Sequence, residues 1–214
     1  FKLTILIPAT NALGRTAIGV AEAVNTQMRA GMDLNGNLGQ DFFSYSDATI
    51  FSATTNTGNA TVTSDITDVG ALTTSDYGLT YDGANWTMTS DKGTTSTVVN
   101  ALPITTLAFE GLTLTINSAT AVAGDSFSIK PTLSGAESIN VIQTDPRLIA
   151  AAAPIRTSSS LNNLGGAEIS AGAVTDSTAL LTGGVIPAVG FTFASATSFT
   201  SNAAVVTGGT SYAI

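Results

Sequence analysis

The stretch from Tyr77 to Thr89 leaves this chain little choice of fold. Tyr77, Leu79 and Tyr81 alternate with Gly78, Thr80 and Asp82, and Trp86 and Met88 alternate with Thr87 and Thr89. That two-residue period belongs to half-buried strands, whose successive side chains point to opposite faces. Asp82-Gly83 lies between the runs and supplies the positive φ that a tight hairpin needs. A two-residue loop sets Leu79 opposite Trp86 and Tyr77 opposite Met88, whereas a four-residue loop pairs Tyr81 with Trp86. Either register gathers the large apolar side chains on one face; an odd-length loop turns Trp86 and Met88 to the other.

Leu112, Leu114 and Ile116 repeat the pattern, as do Phe127 and Ile129 beyond the loop holding Ala123-Gly124-Asp125. These read as a second hairpin, closed by Pro131, which cannot donate to a ladder. One hairpin alone is marginal in water, so the two are expected to share a core.

Composition narrows the function classes. Of 214 residues only 10% are charged, 43% are hydrophobic and mean hydropathy is +0.33. Much of the apolar share is Ala, and no run approaches the ~20 apolar residues that span a bilayer. Net charge is −8 with a pI near 4.1, and the seven cations stand singly. A nucleic-acid binder needs a basic stripe, so that class is excluded, and an anionic membrane surface with it. The chain has no Cys and no His, which removes thiolate nucleophiles, Cys/His zinc sites, Ser-His-Asp triads and disulfides. Such a chain suits the cytosol or an export route that does not oxidise its cargo.

Phe1 to Ile7 is too short for a signal-peptide core and reads as a strand or as vector-derived residues; without an initiating Met the chain reads as an excised fragment. Pro8-Ala9-Thr10-Asn11 is a helix start, with Thr10 or Asn11 as cap. Leu13, Ala17, Val20, Ala21, Val24 and Met28 then recur at helical spacing, and Gly31 ends the helix. Either this stripe packs on its own domain or it lies against further helices of a bundle. Gly14 to Gly19 is no phosphate loop, because it sits within the helix and lacks a Lys-Ser/Thr ending.

Three groups invite chemistry. Asp33, Asn35 and Asn37 match the first ligands of a calcium loop, but Leu38 stands at the turn-glycine position and Ser44 at that of the bidentate Glu, so a polar Asn-Gly turn is expected instead. Asp65, Asp68 and Asp76 lie in or beside turns without the spacing of paired glycosidase carboxylates. Phe42, Phe43 and Tyr45 read as a plug between helix and sheet. No catalytic, cofactor-binding or metal-ligating residue is assigned, and neither enzyme activity nor a cofactor is expected. Ala48–Ala53, Ala60–Ile66, Ser96–Asn100 and Ile104–Phe109 read as further strands, and turn residues at short spacing point to an antiparallel sandwich or barrel. Asp145-Pro146 starts a short helix over Arg147–Ala153. Arg156 to Gly166 is a linker, and Ile169, Val174, Val185-Ile186, Phe191, Phe193, Phe199 and Val205-Val206 mark weaker β material.

The run Ser75 to Thr87, Gly111-Leu112-Thr113-Leu114 and Ala123 to Thr132, in that order and spacing, resembles the outer β-domain of the flagellar hook-associated protein 1 family of hook-filament junction proteins. Gly14-Arg15 and Gln27 to Gly31 resemble the end of its inner helical domain, Gly31 to Asn37 with Asp41-Phe42-Phe43 its linker, and Thr144 to Ala153 extends the likeness. The fold expected is mainly β with an N-terminal helix (α+β overall): an antiparallel β-sandwich or barrel-like outer domain plus part of a helical inner domain. Residues 1–40 form the end of the helical domain and linker, 41–155 the β-domain with a closing short helix, and 156–214 a linker and second, incomplete β region. The resemblance implies a structural subunit of the extracellular flagellum, exported without a cleaved signal peptide. Full-length subunits would form a homo-oligomeric ring touching the hook protein and the second junction protein, with this fragment monomeric. The alternative is a β-sandwich binding module of a secreted adhesin or surface-layer protein.

Overall fold

In this computed structural model the structure describes residues 5–166, 170, 172, 190–195 and 198–201. Phe1 to Thr4 of the apolar opening lie outside the described residues, as do Ile169, Val174, Val185-Ile186 and Val205-Val206. The chain divides into two compact units, Phe1–Ala151 and Ala152–Ile214.

The first unit opens with helix α1 (Ile7–Arg29), which starts earlier than its sequence signals propose. Pro8 occupies the first turn, where a missing N–H costs nothing. Thr10 does not cap; its hydroxyl donates to Leu6 O at 2.9 Å.

Nine strands of the sandwich and its edge follow: β1 (Phe43–Ser44), β2 (Thr49–Ser52), β3 (Thr61–Ile66), β4 (Tyr77–Tyr81), β5 (Asn85–Ser90), β6 (Thr95–Val99), β7 (Ile104–Phe109), β8 (Leu112–Asn117) and β9 (Ser126–Lys130). They form an antiparallel five-stranded sheet in the order β2-β9-β4-β5-β6 and a three-stranded sheet in the order β3-β8-β7. A short helix α2 (Gly135–Ser138) leads to β10 (Asn140–Val141), which pairs with β1.

The β4–β5 hairpin takes the four-residue loop. Tyr81 faces Trp86 and Leu79 faces Met88. Gly83 has φ +102°, and Asp82 Oδ1 accepts from the N–H groups of Ala84 and Asn85. Tyr81 stacks on Trp86 with centroids 4.7 Å apart. Trp86 Nε1 donates to Asn100 Oδ1, and Asn100 Nδ2 donates to the Tyr81 hydroxyl.

The proposed second hairpin does not form. Strand β8 pairs with β3 and β7, while β9 pairs with β2 and β4 in the other sheet. Two contacts decide this. Glu110-Gly111, both at positive φ, closes β7 onto β8. Buried Asp125 accepts from Thr57 and Gly58 through Oδ1 and from Val122 through Oδ2, drawing the start of β9 to the β2–β3 loop. The segment between β8 and β9 is therefore a crossing from sheet to sheet.

The expected shared core is present across the two sheets. Tyr77, Leu79, Trp86, Met88, Phe127 and Ile129 meet Leu107, Leu112, Leu114 and Ile116, and Ile18 of α1 joins the same cluster. The helix expected over Arg147–Ala153 is a 3-10 turn over Pro146–Leu148 only, capped by Asp145 as its Asp-Pro signal indicates. In the second unit, β11 (Phe191–Ser195) pairs with β12 (Ser198–Ser201), and the rings of Phe191 and Phe193 pack edge-on against Phe199.

Candidate functional site

The joint between α1 and the sandwich is held by buried amides, close backbone contacts and an ionic group. Its buried helix positions are Asn11, Gly14, Ile18, Ala21, Asn25 and Met28. This alternation of three and four keeps one face turned to a partner. The stripe proposed from apolar residues is thus rotated. Ala21 and Met28 are buried, but Leu13 and Val20 are 61% and 52% exposed. The signal missed was the spacing of two Asn and a Gly, residues that an apolar count passes over.

Two buried amides and one arginine reach backbone across the joint, while Asn11 Oδ1 and Thr132 Oγ1 are buried without a hydrogen-bond partner among the described residues. Asn25 Oδ1 accepts from Phe42 N–H and Phe43 N–H, both at 2.9 Å, and its Nδ2 donates to Phe43 O. Asn11 Nδ2 donates to Thr74 O and to Asp76 Oδ1, and Asp76 also pairs with Lys130 at 3.5 Å. Arg15 Nε donates to Leu72 O. A Cβ on Gly14 would overlap Thr132 O, and one on Gly135 would meet Gly14 O and Ile18 Cδ1. Glycine is therefore required where helix backbone meets sandwich backbone.

At the C-terminal end of α1 a partly exposed ionic group closes the joint. Arg29 bonds Glu22 Oε1 at 2.8 Å and Asp41 Oδ1, and the Tyr45 hydroxyl donates to Glu22 Oε2 at 3.1 Å. Burial acts to raise the Glu22 carboxyl, but the hydrogen bonds and charge of Arg29, with Tyr45 and Thr26, hold it below its ordinary value. The bonds to Asp41 and Glu22 raise Arg29. Burial first, then the charge of Glu22, push the Tyr45 hydroxyl up to about 12. Of the expected plug, Tyr45 packs against the core cluster, while Phe42 and Phe43 are half-buried, their rings edge-on to each other with centroids 4.9 Å apart.

The other candidate groups resolve into turns. Asp33 Oδ1 accepts from Asn35 N–H and Asn37 N–H, so its oxygen faces its own loop. The Asn37 backbone bond first, with the side-chain and backbone bonds of Asn35, outweighs desolvation and lowers the Asp33 carboxyl. The neighbouring cleft, lined by Asp33, Asn37, Leu38, Gly39, Gln40, Gln143 and Leu148, holds about 160 Å³, below the ~300 Å³ at which ligand pockets begin. Asp65 and Asp68 are exposed, Asp68 accepts from Gly70 and Ala71 N–H, and Asp76 belongs to the joint. The structure does not bring the three together. Among the described residues no group of three or more His, Cys, Asp or Glu is placed to hold a metal, and no helix is long and apolar enough to cross a membrane.

Comparison with known proteins agrees with this layout. Residues 1–43 match the family described as flagellar hook-associated protein FlgK helical domain, and residues 51–131 match flagellar hook-associated protein 1, D2-like domain. The chain is 35% identical over 152 residues to flagellar hook-associated protein 1 of Escherichia coli and 30% identical over 153 residues to that of Salmonella typhimurium. In each case it covers 71% of this chain and 28% of the relative. The solved structure of the flagellar hook junction protein FlgK from Burkholderia pseudomallei superposes with TM-score 0.63 at 35% identity, covering 68% of this chain and 27% of that one. Nothing in these comparisons favours an adhesin. With a helical-domain match and a D2-like match in the family's order, joined by the packed joint just described, the chain belongs to the flagellar hook-associated protein 1 family.

Proposed function

We propose that the chain supplies a structural part of a hook-filament junction subunit: a helix that ties into a bundle and a sandwich carried outside it. One observation carries this reading. Beside the buried face, Leu6 at the N-cap of α1 and Leu13 and Val20 within it recur at seven-residue spacing, each more than half exposed, with Ala17 and Val24 on the same side. At 100° per residue this second stripe lies roughly 90° round the helix from the first. A heptad apolar stripe is the form in which one helix accepts another. The sandwich covers one face of α1, so the second face is available to further helices, as the match of residues 1–43 to a helical domain also indicates.

On this reading the layout is residues 1–40 in the helical domain, 41–155 as the outer β-domain and 156–214 as a linker and further β region. The whole subunit forms a ring outside the cell between hook protein and second junction protein, reached without a cleaved signal peptide. This chain alone is monomeric at micromolar concentration, and its work is mechanical rather than catalytic. The test is a chimera in which this chain replaces the matching segment of the Escherichia coli relative in a strain lacking that protein. Filament assembly and swimming should return. A chimera that is exported and folded but leaves bare hooks would overturn the proposal, as would full assembly by a Leu13→Glu, Val20→Glu chimera.

A further inference from the structure

We propose that Asn35 is a site of spontaneous covalent modification, converting to aspartate and isoaspartate through a cyclic imide formed with Gly36. Of the chain's asparagines only Asn35 precedes a glycine, the residue whose missing Cβ leaves its backbone nitrogen least hindered. Asn35 and Gly36 are both exposed, Gly36 sits at φ +81°, and nothing lies within 4 Å of where its Cβ would be. Among the described residues the Asn35 carboxamide is held by one weak bond, Nδ2 to Asp33 Oδ2 at 3.4 Å, and its carbonyl oxygen accepts none.

The reaction needs only water. The deprotonated Gly36 nitrogen attacks Asn35 Cγ, the C–N bond to the amide nitrogen breaks and ammonia leaves with a proton. Water then opens the five-membered imide at either carbonyl, giving aspartate or, with the main chain rerouted through the side chain, isoaspartate. The Gly36 N–H donates to Asp33 O at a long 3.2 Å, which slows the attack relative to an unfolded chain without removing the side chain's freedom.

Comparable positions are protected. Asp82 precedes Gly83, but its carboxylate accepts from Ala84 N–H, Asn85 N–H and Asn85 Nδ2. Asn117 precedes Ser118, whose buried N–H donates to Pro103 O at 3.0 Å while Asn117 Oδ1 accepts from Ala119. The fold thus concentrates the chemistry at one loop, the one leaving α1.

The product alters that loop. A new carboxylate appears beside Asp33, and isoaspartate adds a methylene to the main chain between Leu34, whose N–H donates to Arg147 O, and Asn37, whose N–H donates to Asp33.

The purified chain is incubated at 37 °C at neutral and mildly alkaline pH, then analysed by peptide mass mapping and by labelling with an isoaspartate-specific methyltransferase. The acid products should accumulate at Asn35 several-fold faster than at any other asparagine, and faster at the higher pH. Aged protein should melt below fresh protein, while Asn35→Gln, which would need a slower six-membered ring, should lose the label and keep its melting temperature on ageing. Conversion spread evenly over the asparagines, label at Asp82, or an intact Asn35 beside a converted Asn117 would overturn the proposal.

Discussion

Asn25 gives both ends of its carboxamide to the backbone of Phe42 and Phe43, so its loss is felt as orphaned groups rather than as lost volume. Asn25→Ala leaves two N–H groups and a carbonyl without partners and should cost about 2–4 kcal/mol, read as a lower urea midpoint. Asp125 stands likewise between three backbone donors. Its carboxyl is lowered, first by Val122 and then by Gly58 and Thr57 against desolvation. A depressed folded-state value means stability that is complete above the ordinary carboxylate value near 3.9 and lost as pH falls through the folded one. Melting temperature should therefore hold level above about pH 5 and drop below about pH 4, less steeply in Asp125→Asn. A flat profile to lower pH would contradict this. At this scale the sequence was legible where a side chain serves its own turn, as at Asp33, Asp82 and Asp145. It was opaque where an amide reaches across the fold, because nothing local to Asn11 or Asn25 distinguishes a buried clamp from a solvated face.

Among elements, α1 is bound on one face and open on the next. Ile18 is fully buried in the sandwich core, so Ile18→Ala should cost about 2–5 kcal/mol in chemical denaturation. Leu13→Glu with Val20→Glu should change the stability of the isolated chain by no more than about 0.5 kcal/mol, since both side chains meet solvent there. A large loss would place the second stripe inside this unit after all. Strand positions were legible from their period of two. The partners of β8 were not, because its two-residue hairpin loop Glu110-Gly111 has Glu, at φ 45°, where an Asn, Asp or Gly would normally precede the Gly. The crossing to β9 likewise depends on Asp125 meeting Thr57 and Gly58, far away in sequence.

For the molecule as a whole, a mainly β sandwich led by a helix could be read before any coordinates, since alternation, turn chemistry and the one helical stripe agree. The seat of that helix could not, because it depends on close approach of backbones. The two compact units make a further prediction. Ending the chain at Ala151 should leave the melting transition of the first unit in place; a fall of several degrees would show that later residues support it.

At Gly14 the helix backbone meets Thr132 O with no side chain between them, and Gly135 comes as close to Gly14 O from the other side. Where backbone rests on backbone there is no rotamer to give way, so a slide or roll of the helix presses directly on the segment that carries Thr132. A twist applied to the helix is thereby handed to the sandwich at one hard point, and a twist of the sandwich is handed back.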